Sequence, residues 1–270
     1  FERRLEMTTY IVMYSGGITS FEAARRAIEK HGRENVRIWF ADTNMEDDDL
    51  YRFNKDVELF LQHPIEIIDN DGMDVWDVFF KHKFLGNTRI DPCSKVLKRE
   101  PLRKKLKKEY PNPSDAVVVL GMDDIEDCKR LERAAKAQLP YETWFPLTEE
   151  PIILKAGISR WLKEQGIEPP SLYAKGFQHN NCGGFCVKAG IGQFAHLQKT
   201  MPERYDWHME KEEEFREFIG KDVSILRDRR GGETKPLTMR ELKERILDGE
   251  EFRYDTGWSC MCFVDGVEWL

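Results

Sequence analysis

The residue types best suited to chemistry in this 270-residue chain gather at a glycine pair near its beginning and at cysteines spread over the rest. Tyr10 to Ser20 reads Tyr-Ile-Val-Met-Tyr-Ser-Gly-Gly-Ile-Thr-Ser, an apolar β-forming run closed by two glycines between hydroxyl residues, and Phe21 to Lys30 continues with helical spacing. A strand, a tight turn and a helix start in that order point backbone N–H groups and the positive end of a helix dipole at one spot. Glycine there lets a ligand approach without meeting a Cβ, so the natural occupant is a phosphate. The stretch lacks the Gly-Lys-Ser/Thr of the P-loop nucleotidases and the third glycine of a dinucleotide fingerprint, which sets both of those readings aside. A plain structural turn is the competing account.

The cysteines make the second group. Cys182 and Cys186 enclose Gly183, Gly184 and Phe185, and glycines let two thiolates converge on one ion or cluster. Cys260 and Cys262 form another close pair, and Cys93 stands by itself. Cys128 lies in a helical pattern and reads as a structural residue facing the core. His179 adjoins the first pair, as a ligand or as a hydrogen-bonded bystander; the other histidines have no metal spacing.

The elements that must position these groups alternate. Val36 to Ala41 reads as a buried strand ending at Asp42-Thr43, followed by an acidic turn and a helix from Asp48 to Leu61; Ile65 to Asn70 is a third strand. Helical patterns cover Val75 to Lys83 and Lys95 to Tyr110, and Ala116 to Gly121 is an apolar strand. A short extended piece near Trp144, a Pro151 break and a helix from Leu154 to Gln165 follow. After the cysteine- and glycine-rich segment Gly176 to Gly192, the pattern gives a charged helix near Glu210 to Phe218, a strand from Val223 to Arg227 and a Gly231-Gly232 turn. A last helix starts at Thr238, where Glu241 three residues on makes a capping-box signature. Strands alternating with helices predict an α/β fold: a Rossmann-like parallel sheet with helices on both faces, over residues 7–175, and a smaller cysteine-bearing C-terminal region, 176–270. The Ser15 loop, Asp42 and Gly121 to Glu126 all follow strand ends and are expected at one cleft.

A formal charge of -7 argues against a general nucleic-acid binder, although a local basic patch is compatible with it. No apolar run has the length of a membrane span, so the expectation is a cytoplasmic protein without membrane contact. Six cysteines are too few for a disulfide scaffold at this size. Lys95, Lys98, Arg99, Arg103, Lys104, Lys105, Lys107 and Lys108 form a basic helix whose distal lysines read as a solvated face. Asp123 and Glu126 suit a magnesium ion or the orientation of Arg130, and equally the favourable charge at a helix start.

Taken in order, these motifs resemble the phosphoadenosine phosphosulfate reductase-like branch of the ATP-pyrophosphatase (PP-loop, adenine nucleotide alpha hydrolase-like) superfamily. The resemblance rests on Ser15-Gly16-Gly17 with Ser20, Phe40-Ala41-Asp42-Thr43, and Arg89 with Pro92-Cys93-Ser94 and Leu97-Lys98. It continues through Gly121 to Arg130, Pro146-Leu147, and Cys182 to Cys186, and so runs from Met13 to about Phe194. Thr19 stands where many members carry Asp, and Ser259-Cys260-Met261-Cys262 replaces the C-terminal Glu-Cys-Gly of the sulfonucleotide reductases.

The resemblance implies that Ser15, Gly16, Gly17, Thr19, Ser20 and Gly121 hold an adenine nucleotide, ATP with Mg2+. Asp42 would lie near its ribose or base, and Arg89 and Lys98 near the anionic part of the substrate. Cys93, Cys182 and Cys186 would be three ligands of a [4Fe-4S] cluster, with Cys260 or Cys262 the fourth; a structural Zn2+ on Cys182, Cys186, Cys260 and Cys262 is the alternative. The implied activity is adenylation of an acceptor for sulfur or nitrogen transfer with release of pyrophosphate, with Asp42, Arg89, Lys98, Asp123 and Glu126 as catalytic candidates. The alternatives are a sulfonucleotide reductase using a C-terminal cysteine and a non-catalytic nucleotide-binding subunit of a nucleic-acid-modification assembly. Nucleic acid or a sulfur-donor protein is the further partner this reading calls for.

Overall fold

The computed structural model describes residues 8–123 and 128–254, so Glu126, Cys260 and Cys262 lie outside the described residues. Strands β1 (Thr9–Tyr14), β2 (Val36–Ala41), β3 (Ile65–Ile68), β4 (Ala116–Val119) and β5 (Glu142–Trp144) form one parallel sheet in the order β3-β2-β1-β4-β5. Between them run α1 (Ile18–His31), α2 (Asp48–Leu61), α3 (Val75–His82), α4 (Pro92–Ser94), α5 (Glu100–Glu109) and α6 (Cys128–Gln138), with α7 (Lys155–Glu164) after β5. Period-two alternation divides the strands between two cores. Val12, Tyr14, Ile38, Phe40 and Val119 pack with Phe21 of α1, Phe53 of α2 and Leu162 of α7. Ile11, Met13, Trp39 and Val118 pack with Leu102 and Leu106 of α5 and Ala134 of α6. Both faces are covered, which is why the central strands read as unbroken apolar runs.

From β1 the chain winds outward to β2 and β3, then returns to the other side of β1 for β4 and β5. The strand order therefore reverses between β1 and β4, and the crevice beyond their C-terminal ends is where such sheets bind ligands. Ser15 and Gly121 border that crevice because they follow β1 and β4 directly.

The rest of the chain comprises α8 (Ser171–Ala174), α9 (Ile191–Thr200), α10 (Pro202–Ile219), an antiparallel hairpin of β6 (Leu226–Asp228) and β7 (Lys235–Leu237), and α11 (Met239–Leu247). Its apolar residues share a third core with Val75, Phe79 and Leu97. Helix α9 and strand β7 were not expected from the pattern, and α10 begins at Pro202 rather than near Glu210, since proline at a first helical turn loses no hydrogen bond. Thr238 caps α11 as expected, accepting from the Glu241 N–H at 3.1 Å.

The helix expected over Lys95 to Tyr110 instead runs from Pro92 and changes pitch, with a π-helical turn at Lys95–Arg99 between α4 and α5. Pro101 explains it. Proline offers no N–H to the Leu97 carbonyl and crowds that turn of a regular helix; the wider turn makes room. The released Leu97 carbonyl accepts from Asn70 Nδ2 at 2.9 Å. The same turn buries Leu97 and Lys98 side by side.

One expectation is corrected. Cys128 is exposed, not a core residue. The buried positions of α6 are Arg130 and Ala134, four apart on one face, and a residue two positions before Arg130 falls on the opposite side of the helix.

Glu212 of α10 fastens the hairpin. Its buried carboxyl group accepts from the Ile225 N–H at 2.9 Å and the Met239 N–H at 2.6 Å, and burial pushes its pKa from 4.5 up to about 7. Between those values the folded protein keeps a proton that the unfolded chain has lost, so this group's contribution is most favourable at the acid end and declines as pH rises through 7. Urea midpoints of the native chain should fall over that window, and more steeply than those of Glu212→Gln. Parallel pH profiles for the two proteins would show that Glu212 is not the group responsible.

Candidate functional site

The loop after β1 is knotted by its own hydroxyls. Ser20 Oγ accepts from the Ser15 N–H at 3.2 Å and from Ser15 Oγ at 3.3 Å, and donates to the Gly17 carbonyl at 2.8 Å. Gly16 has φ +75°, and a Cβ there would stand 2.6 Å from Leu50 Cδ1, so only glycine makes this turn. Gly17 is the N-cap of α1, which starts at Ile18, three residues before the sequence pattern suggested. Across the crevice, a Cβ on Gly121 would lie 2.7 Å from the Thr19 carbonyl oxygen and 2.8 Å from Ser20 Cα. The chain beyond β4 thus passes directly against the loop.

At the end of β2, Asp42 is buried and accepts from the Asn44 N–H at 2.9 Å and from Tyr51 Oη at 3.0 Å. Burial and then the Asp42 charge raise the Tyr51 phenol. Three residues beyond Thr43 comes Glu46, 6 % exposed, which sequence reasoning passed over as part of an acidic turn. Its carboxylate accepts from Thr43 Oγ1 at 2.9 Å and the Cys182 N–H at 2.5 Å, and stands 3.5 Å from Lys98 Nζ. Arg204 of α10 donates to the carbonyls of Met45 and Glu46 on the same turn. Its guanidinium lies 1.9 Å from where a Gly183 Cβ would be, so glycine at 183 is what lets Arg204 reach.

The structure brings three of the expected cysteines together. Cys93, Cys182 and Cys186 line one cavity of about 20 Å³, the room of roughly one water molecule, together with Phe185, Lys98 and Lys188. Among the described residues no group of three Cys, His, Asp or Glu side chains forms a cage for a metal ion. Cys182, Gly183 and Gly184 all take positive φ, at 48°, 56° and 86°. Behind Phe185, His208 stacks on its ring at 3.6 Å and accepts from Trp76 Nε1 at 3.1 Å. Burial, with Arg204 adding to it, holds that imidazole well below its usual pKa, so His208 is neutral.

Residues 171 to 186 form a strap from the Ser15 loop to the cysteines. Ser171 anchors it on α2, its N–H donating to Asp49 Oδ2 at 2.7 Å and its Oγ to Asp47 Oδ1 at 3.2 Å. Tyr173 Oη accepts from the Ile18 N–H at 3.4 Å, and Asn180 Nδ2 donates to the Gly16 carbonyl at 3.1 Å. Cys182 follows two residues later.

The remaining candidates are more scattered. Arg89 is exposed; its backbone N–H donates to Asn87 Oδ1 at 3.0 Å. Thr19, Asp123 and His179 are half-buried, Arg130 is buried, and Lys104, Lys107 and Lys108 are on the solvated face. Lys105 pairs with Glu109 at 2.6 Å and with Glu66 at 3.3 Å. Besides Glu46, sequence reasoning missed Tyr173, Lys188 and Arg204. Only Lys188, two residues after a candidate ligand, carried a local signal.

No protein-family model and no curated protein matches this sequence. In structure the chain is similar to the crystal structure of phosphoadenylyl-sulfate (PAPS) reductase from Candida auris in its phosphate complex. The TM-score is 0.46 and the identity 17 %, over 63 % of this chain and 80 % of that one.

Glu46→Ala removes the carboxylate that Lys98, Thr43 and the Cys182 amide share in the interior. Breaking a buried ion pair from one side costs about 3–5 kcal/mol, and denaturant unfolding should register a loss of that order. Glu46→Gln keeps an acceptor and should lose less. An Ala variant within about 1 kcal/mol of the native protein, inside the range of an exposed pair, would remove Glu46 from this role.

Proposed function

We propose that this chain is an ATP-pyrophosphatase-type enzyme. It binds ATP with the departing phosphates on the Ser15 loop, adenylates an acceptor and prepares it for sulfur or nitrogen transfer. The observation that carries the reading is the strap. A glycine loop at the sheet's switch point and a cavity of three cysteines share one segment, with Asn180 on Gly16 and Cys182 two residues on. A nucleotide pocket alone does not call for cysteines beside it; an activated acceptor awaiting sulfur does.

In the first step an acceptor oxygen bonds to the α-phosphorus while the α–β bridge breaks, and pyrophosphate leaves with the electron pair. Amides at the start of α1 stabilise the charge that develops on it. In the second step the nucleophile displaces AMP, which carries away the acceptor's oxygen. Mg2+ on the phosphates would be met by Asp123, just past Gly121. Lys98, in its π-helical turn, would hold Glu46 and the cavity wall in place.

Cys93, Cys182 and Cys186 fit an iron–sulfur cluster in donor chemistry, all three being thiols on one largely apolar wall. Cys93 standing with the other two supports that set over a zinc site made without it. Such a cluster supplies a site at which sulfur is bound beside the activated acceptor. The fourth ligand would be Cys260 or Cys262.

Labelled ATP with the acceptor should give AMP and pyrophosphate, and Gly17→Val should abolish nucleotide binding in a folded protein. ADP and orthophosphate as sole products would contradict the reading. Sulfite release from a sulfonucleotide without ATP consumption would establish the reductase alternative.

Protein purified without oxygen should contain iron and acid-labile sulfide and absorb broadly in the visible. Cys93→Ala and Cys182→Ala should each lose both, while Cys128→Ala keeps them. Colourless native protein with stoichiometric zinc would overturn the cluster assignment.

A further inference from the structure

We infer that the Tyr173 hydroxyl, delivered by the strap from outside the glycine loop, completes the phosphate subsite and bonds to a phosphate of the bound nucleotide. The inference rests on the nucleotide reading above and adds a residue to it. Tyr173 Oη stands 3.4 Å from the Ile18 nitrogen, the first amide of the 14-residue helix α1. First-turn amides have no partner within their own helix, so whatever accepts from them stands where an anion is drawn. The same hydroxyl lies 3.0 Å from the position a Gly17 Cβ would take, so glycine at 17 keeps the approach between loop and phenol open. A hydroxyl suits this place because it accepts from an amide and donates to a phosphate oxygen. A carboxylate would repel the ligand.

The placement is built rather than incidental. Ser171 is tied to Asp47 and Asp49, the Tyr173 N–H donates to the Pro170 carbonyl at 3.1 Å, and Lys175 stands 4.0 Å from Asp47. A second atom of the strap points to a ligand independently. Asn180 is 2 % exposed, and its Nδ2 is fixed on the Gly16 carbonyl, while its Oδ1 is buried with no hydrogen bond among the described residues. A buried acceptor left unmade is costly. A donor arriving with the ligand, such as water on a phosphate-bound cation, would satisfy it.

Inorganic pyrophosphate is the probe, with adenosine as the phosphate-free control, both measured by calorimetry on the whole chain. Tyr173→Phe keeps the ring and removes only the hydroxyl. Pyrophosphate and ATP should bind roughly ten- to a hundredfold more weakly, the range for a hydrogen bond to a charged group. Adenosine affinity should stay unchanged. Equal pyrophosphate affinity in the two proteins overturns the inference, and so does tighter binding by the Phe variant, which would make Tyr173 a plug. Native protein that binds neither ATP nor pyrophosphate overturns the nucleotide reading and this inference together, and is told apart because no variant is needed to see it.

Discussion

A single buried carboxylate fixes the relation between the sheet and the cysteines. Glu46 sits on the turn after β2, and its two oxygens meet a hydroxyl of that turn, an ammonium from the π-helical turn and a backbone amide of the cysteine segment. Each of these is a polar group that burial would penalise heavily without a partner. One acidic residue satisfies all three, and so holds together segments separated by up to 136 positions. The parallel sheet would form without it, since the strand cores are apolar and close on themselves. The register of the cysteines against the sheet would then rest on the shared core and on Asn180 at the Gly16 carbonyl.

The position of Lys98 depends in turn on a proline. A regular helix through Pro101 would lose a hydrogen bond and crowd the preceding turn; the π-helical turn relieves both and brings Leu97 and Lys98 inward together. Leu97 then packs in the third core while Lys98 reaches Glu46. A local backbone defect thus has a remote result, a buried cation at the cavity wall, and Asn70 from beyond β3 takes the carbonyl that the defect releases.

Most of the sheet was legible in the sequence because its signals are local. Strand β2 and helix α2 fall where the apolar run and the helical spacing predict, and the Ser15 loop lies at the crevice expected of a glycine pair between strand and helix. What escaped prediction is set by contacts between distant segments. Nothing in the run Glu46-Asp47-Asp48-Asp49 says which acids turn inward or what they meet: Glu46 is buried on Lys98, while Asp47, also buried, caps α2. Tyr173 carries no motif, and its place on the loop follows from Ser171 binding α2. Cys128 failed for a related reason. A helical pattern gives the existence of α6, but which face is buried depends on where Ala134 packs against the sheet.

The Ser15 loop and the cysteine cavity are not independent parts of the molecule. Two residues of backbone span at most about 7 Å, so the Cys182 Cα lies within that distance of the Asn180 Cα, whose side chain holds the Gly16 carbonyl. Cys182 itself is held at φ 48°, a conformation that a residue with a Cβ adopts only at a cost, and two glycines at positive φ follow it. Such a backbone persists only where its surroundings determine it. Here they do so from both ends, with Glu46 on the Cys182 amide and Asn180 on the loop.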